Sequence, residues 1–232
     1  MNADVDASTE AEDTRYMRMA LDEASTAASK NEVPVGAVLV HTTSGKILAS
    51  HHNTVLAQDD PTAHAEMKCV RDGAAALGGW RHLRDTTLYV TLEPCPMCAG
   101  AVLNARLGAV VWGAPNPLIG ADGSWIALMG DGGDGLRPCD GGSIDDTYAG
   151  SMRDGSSSID DETDTAAGIG SVEPACALID PKGATKPHAF KPGLEVRMRV
   201  LETECADLMK AFFRRRRTEN KETKRREEAS GD

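Results

Sequence analysis

No apolar run in the 232 residues approaches the roughly 18–20 that a membrane span needs, so no bilayer crossing is expected. Cysteine is scarce: six residues are too few for a disulfide scaffold, and two of them form a Cys-x-x-Cys pair that points to metal or redox chemistry. The first residues, MNADVDASTEAEDT, lack the basic start and apolar stretch of a secretory signal and are too acidic for an ordinary transit peptide. The expectation is a soluble intracellular protein. Internal repeats are absent as well.

Basic residues are outnumbered, 25 Lys and Arg against 36 Asp and Glu, for a formal net charge of −11. Taken whole, that balance argues against a nucleic-acid partner. Its distribution argues otherwise. Residues 1–14 hold five acids and no base, and residues 130–180 hold twelve acids and two bases. The remainder carries 19 acids and 23 bases, a net +4, so RNA or DNA is not excluded. Both acidic segments are predicted to be disordered. Ten glycines fall between Gly130 and Gly170 with few large apolar residues, too little to offset the entropy of ordering.

The expected organisation is therefore a disordered acidic N-terminus over 1–14, one domain over 15–129 plus 187–217, an insert over 130–186, and a charged tail over 218–232. Within the domain, Met17, Ala20, Leu21, Ala24, Ala27 and Ala28 mark an amphipathic helix over Arg15–Asn31. Val33–His41 and Lys46–Ser50 read as a hairpin, and a second helix opens at Pro61 and closes at Gly78. Thr87–Leu92 and Ala109–Gly113 read as strands flanking a helix from about Cys95 to Ala105. Val200, Leu201, Leu208, Met209, Phe212 and Phe213 fit a last helix that runs into Arg214–Arg217. The order α-β-β-α-β-α-β predicts an α/β protein, a three-layer α/β/α sandwich with a central mixed sheet.

Two short stretches carry the chemistry: Pro61-Thr-Ala-His-Ala-Glu66 and Thr91-Leu-Glu-Pro-Cys-Pro-Met-Cys98. They offer one imidazole, His64, and two thiols, Cys95 and Cys98. Near a helix start, the positive end of the dipole favours both thiolates. One nitrogen and two sulfurs suit Zn2+, one per chain, and three ligands leave a fourth position open for an activated water. Glu66 is the candidate proton carrier. On a regular helix it would lie about 200° round from His64, so both face one water only if His64 sits at the helix start. A His-x-Glu followed by Pro-Cys-x-x-Cys is the arrangement of zinc nucleobase deaminases.

Other readings have less support. A thioredoxin-like redox pair lacks its βαβ opening and leaves the His-x-Glu stretch without a role. A structural zinc knuckle needs a fourth ligand, and the nearest spare thiol, Cys69, reads better as a core residue. His41, His51, His52, His82 and His188 have no ligand-like spacing. Cys139, Cys176 and Cys205 are expected to be bystanders.

The chain resembles the bacterial-type tRNA adenosine deaminases of the cytidine-deaminase-like superfamily. The resemblance runs through Val33-Pro-Val-Gly-Ala-Val-Leu-Val, Asp60-Pro-Thr-Ala-His-Ala-Glu66, Leu88-Tyr-Val-Thr-Leu-Glu-Pro-Cys-Pro-Met-Cys-Ala-Gly-Ala101 and Gly120-Ala-Asp-Gly-Ser124. It ends with Leu201-Glu-Thr-Glu-Cys-Ala-Asp-Leu-Met-Lys-Ala-Phe-Phe213. Trp112-Gly-Ala-Pro-Asn116 and Val200–Cys205 are similar to the plant plastid members in particular. The resemblance implies hydrolytic deamination of adenosine to inosine at the tRNA wobble position, with the base of the anticodon loop splayed into a pocket. It implies that Asn53 contacts the inserted base or ribose and that Asn116 lines the nucleotide channel, where the family often has an acid. It also implies a homodimer with the active site near the subunit boundary. The aromatic and cationic run holding Phe213, Arg214 and Arg215 suits phosphates and neighbouring bases, although an arginine run is also common at a solvated helix end. The family usually bridges Leu128 to its final strand by a short loop, where roughly 60 residues intervene here. The alternatives are a small-molecule deaminase acting on guanine, cytosine or a nucleotide, and a non-catalytic subunit of a heterodimeric deaminase.

Overall fold

The computed structural model describes residues 7–124, 126, 128, 129 and 194–230. Helix α1 (Ala7–Ser29) is followed by strands β1 (Gly36–His41) and β2 (Ile47–His52), a one-turn helix α2 (Val55–Gln58) and helix α3 (Ala65–Ala76). A 3₁₀ turn (Trp80–Asp85) leads into β3 (Thr86–Leu92), α4 (Pro96–Ala105), β4 (Ala109–Ala114), β5 (Glu195–Arg197) and α5 (Glu202–Ser230). The strands form one mixed sheet in the order β2-β1-β3-β4-β5. β1 runs antiparallel to β2 and β3, while β3, β4 and β5 are parallel. The expected α/β architecture is the observed one.

Alternation along β1 shows why the sheet is covered on both faces. Successive side chains of a strand point to opposite sides. A Cβ on Gly36 would lie 2.0 Å from the Ala20 carbonyl oxygen of α1, so only glycine lets the helix approach this closely. On the other face, the Cys69 thiol of α3 donates to the Ala37 carbonyl at 3.3 Å, and Gly73 of α3 abuts Leu39. With both faces occupied, every residue of β3 and β4 is buried, and β4 reads as a continuous apolar run. Among the described residues, no helix is long and apolar enough to cross a membrane.

Three boundaries differ from expectation, the smallest being α3, which begins at Ala65 and not at Pro61 because the Asp60–Thr62 turn precedes it. The acidic N-terminus is helical from Ala7, so α1 begins eight residues before the predicted start at Arg15. The reason is a tertiary partner. Asp13 is buried, and its carboxylate accepts a two-pronged bond from Arg197 of β5 at 2.6 and 2.9 Å and a third from the Tyr89 hydroxyl at 3.0 Å. At the other end, the predicted tail beyond Arg217 continues as α5 to Ser230. Its Glu, Lys and Arg residues are strong helix formers, and Arg215 pairs with Glu219 one turn on at 3.6 Å. The expected insert over 130–186, with Cys139 and Cys176, falls outside the described residues.

The Asp13–Arg197 pair gives a stability prediction. Asp13→Asn keeps the shape but removes the buried counter-charge of Arg197, leaving it only the exposed Glu195 at 2.6 Å, and removing one partner of such a pair costs up to about 3 kcal/mol. Urea unfolding should show that loss. A midpoint equal to that of the unaltered protein would mean that the α1 N-terminus is not held by this pair.

Candidate active site

The chain reaches the site through a tight turn. The Asp60 carboxylate accepts from both the amide and the hydroxyl of Thr62, each at 2.8 Å, and swings the backbone round to His64. His64 is the N-cap of α3, in an extended conformation (φ −74°, ψ 150°), and its carbonyl already accepts the first helical bond from Lys68 at 3.1 Å. That is the geometry the 200° separation demanded: His64 stands outside the helix, and Glu66 occupies its first turn.

Asn53 completes the corner. Its side-chain oxygen accepts from the amide of Ala65 at 2.9 Å, satisfying one of the unpaired amides at the start of α3. The carbonyl end of Asn53 is thereby committed, so a contact from this side chain to a base would use its NH2 donors. A buried carboxylate from another element steadies the same loop: Glu32 accepts from the amides of Leu56 at 3.2 Å and Ala57 at 2.7 Å.

The second stretch repeats the device. Cys95 is the N-cap of α4, again extended (φ −73°, ψ 168°), with Pro96 opening the helix and Cys98 in its first turn. His64 Nδ1 lies 3.7 Å from Cys95 Sγ and 3.5 Å from Cys98 Sγ. All three donor atoms fall within 4.8 Å of one another. A tetrahedron with zinc–sulfur bonds near 2.3 Å and zinc–nitrogen bonds near 2.0–2.1 Å has a sulfur–nitrogen edge of about 3.6 Å. The donor set fits zinc in both element and spacing. Beside it Glu66 is buried, and its Oε2 has no hydrogen-bond partner among the described residues. A buried polar atom without a partner, next to three converging ligands, is placed to meet something that arrives with the metal or the substrate.

The loop after β4 is held to the same corner by Glu93, two residues before Cys95. Glu93 is buried, and its carboxylate accepts from the amides of Asn116 at 2.9 Å, Asp122 at 2.8 Å and Ser124 at 3.1 Å, and from the Ser124 hydroxyl. A Cβ on Gly120 would sit 2.4 Å from that carboxyl group, so glycine is required where the loop passes. Asn116 is buried, and its side-chain oxygen takes the Ile119 amide at 3.3 Å. The spacing of the zinc stretches gives Glu93 no role, yet an acid interrupting an apolar strand end just before a cysteine is a signal that it has inward partners.

The structure thus brings Asn53, His64, Glu66, Cys95 and Cys98 to one corner and ties Asn116 to it through Glu93. The residues on α5 are arranged differently. Phe213 is half-buried and meets Phe212 edge-on at 5.3 Å, and Arg214 is exposed. The Arg215 guanidinium packs 5.5 Å over the Phe212 ring and donates to the Ala28 carbonyl at 2.8 Å and to Asn31 at 3.0 Å. Arg215 therefore caps the end of α1. Cys69 and Cys205 are buried thiols away from the donor cluster, as expected for core residues.

The family model for the cytidine and deoxycytidylate deaminase zinc-binding region matches residues 10–114. A chloroplastic tRNA(adenine(34)) deaminase from Arabidopsis thaliana is 47% identical over 204 residues, which cover 88% of this chain but 12% of that much longer relative. A tRNA-specific adenosine deaminase from Bacillus subtilis is 48% identical over 118 residues, 51% of this chain and 71% of the relative. The chain belongs to the tRNA-specific adenosine deaminase family. A guanine deaminase from Nitrosomonas europaea, 16% identical, superposes with a TM-score of 0.53 over 86% of this chain and 84% of its own, and shares the fold.

The matched family model describes a zinc-binding region, and the electrostatics of the donor cluster favour a cation there. The Cys95 thiol is pulled down to about 4 by its hydrogen bond from Cys98, against burial, with His64 adding to the effect. The same bond and burial push Cys98 well above the usual thiol range. His64 is raised, chiefly by Cys95, and Glu66 is raised by burial with His64 opposing. Two thiolates this close are stable together only beside a positive charge, which a dication at the shared position supplies.

Proposed function

We propose that this chain hydrolytically deaminates adenosine to inosine at wobble position 34 of a tRNA. Family membership supports the substrate, and one feature of the site supports the chemistry: the buried, unpartnered Glu66 Oε2 beside the His64–Cys95–Cys98 cluster. Zinc held by these three residues would supply Lewis acidity to the attacking water. Glu66 takes the proton of the attacking water at Oε2 and returns it to the departing amino group. Water adds at C6, the C6–N bond breaks, and inosine and ammonia leave. Asn53 holds the inserted nucleoside from one side through its amide donors, and the Asn116 loop bounds it on the other. The same reading takes the working unit to be a homodimer, and the compartment to be cytoplasm or plastid, the latter in line with the chloroplastic relative.

The test is direct. Purified zinc-loaded protein incubated with a tRNA that carries adenosine at position 34 should convert that base alone, read as guanosine on sequencing. Conversion of free guanine or cytosine, with the tRNA untouched, would replace this reading with that of a small-molecule deaminase. Light scattering of the same preparation should give twice the 24.6 kDa chain mass.

A further inference from the structure

Beyond the paired residues Leu92 and Ala114, the parallel strands β3 and β4 diverge. β3 runs on into the Cys95 turn, and β4 runs into the loop that carries Asn116. In open α/β sheets, ligands bind in the crevice beyond the carboxyl ends of the strands. Glu93 stands at this fork. Its amide still bonds the Ala114 carbonyl at 2.8 Å, and its side chain, buried to 1% exposure, meets the loop.

The two oxygens of that side chain hold different points. Oε1 accepts from the amides of Asp122 and Ser124, at 2.8 and 3.1 Å. Oε2 accepts from the Asn116 amide at 2.9 Å and from the Ser124 hydroxyl. A carboxylate offers acceptors alone, which matches a loop that presents amide donors. Two further bonds close the far end of the loop: the Ala121 amide donates to the Pro94 carbonyl at 2.9 Å, and the Trp112 indole donates to Asp122 at 2.7 Å. The near end is tied to β3 through Oε2. There the Asn116 side-chain oxygen is committed to the Ile119 amide, so its NH2 group is what a ligand would meet.

We propose that Glu93 is a positioning residue for nucleotide binding: through Oε2 it fixes where Asn116 presents its NH2 donors to the inserted nucleotide. It acts on binding and leaves proton transfer to Glu66. This rests on the wobble-deaminase reading and adds to it the residue that sets one wall of the channel.

Glu93→Gln tests this because glutamine keeps only one acceptor oxygen. With that oxygen at the Oε1 position, the amides of Asp122 and Ser124 stay bonded. The NH2 group then faces the Ser124 hydroxyl, which can rotate to accept, and the Asn116 amide, which cannot. The opposite flip would set NH2 against two amides. The substitution therefore releases Asn116 alone. In the full zinc-loaded chain, deuterium exchange of the Asn116 amide, followed by NMR, should quicken at least about tenfold, with Asp122 and Ser124 still protected. KM for a tRNA with adenosine at position 34 should rise about tenfold with kcat unchanged, the mark of a lost binding contact. Zinc content should not change. Asp13→Asn, which weakens the fold elsewhere, should alter neither KM nor Asn116 exchange.

Gly120→Ala reaches the same contact from the loop side with Glu93 intact, since its Cβ would stand 2.4 Å from the Glu93 carboxyl group. It should raise KM likewise, and it decides the matter if Glu93→Gln does not fold. Unchanged KM in a variant whose Asn116 amide exchanges faster overturns the proposal. So does unchanged Asn116 exchange in Glu93→Gln, or a loss of kcat or zinc with KM unchanged. Those results leave the wobble reading standing if the unaltered protein edits the tRNA, whereas failure of the unaltered protein to edit or bind it removes that reading first.

Discussion

Glu66→Gln is expected to fold, to bind one zinc per chain, and to form inosine at least about 10²–10⁴-fold more slowly than the unaltered protein. The substitution is nearly isosteric and leaves His64, Cys95 and Cys98 untouched. Glu66 is 4% exposed in the first turn of α3, so the amide occupies the same space. What disappears is a group that can take a proton and give it back at the Oε2 position. Single-turnover inosine formation, with metal content measured on the same sample, separates the chemistry from folding. A rate near that of the unaltered protein would show that another group moves the proton. If the chain were the silent subunit of a heterodimer, neither protein would make inosine without a second polypeptide.

That prediction was open to the sequence because the relevant geometry is local. His64 and Glu66 belong to one stretch, and helix pitch alone shows that they cannot share a water unless the histidine precedes the helix. The structure places His64 there, as an N-cap. Cys95 and Cys98 are set by the same logic at the start of α4. Only the meeting of the two stretches, with sulfur–nitrogen distances of 3.5 and 3.7 Å, required the fold.

Features that depend on distant partners were not legible. Asp13 reads as one acid in a solvated tail until β5 brings Arg197 to it across 184 residues of sequence. Arg215 reads as one of four interchangeable arginines, although it caps α1. Glu93 sits inside a quoted motif, yet nothing local says that its carboxylate gathers the amides of Asn116, Asp122 and Ser124. Each is a charged residue whose partner is chosen by tertiary structure, and composition assigns such residues to solvent by default.

Replacing a ligand should have the largest effect of all. Cys98→Ser is expected to lose zinc and, with it, detectable deamination. Cys98 is fully buried, and its sulfur shares the pocket with Cys95 Sγ and His64 Nδ1 within 4.8 Å, so no side chain of the cluster can be dropped while three ligands remain. A serine hydroxyl is a poor substitute: it stays protonated where a thiolate is required, and its oxygen ends short of the position held by the larger sulfur. Cys69→Ser is the matched control. Its thiol is also buried, but it donates to the Ala37 carbonyl in the packing between α3 and β1, and burial holds it well above the usual thiol range. That protein should keep its zinc and its activity, with at most some loss of stability. Metal analysis of both proteins decides between a three-ligand catalytic site and a closed four-ligand knuckle: zinc lost from Cys98→Ser alone supports the former, zinc lost from both supports the latter, and full occupancy with activity in Cys98→Ser would remove this residue from the ligand set.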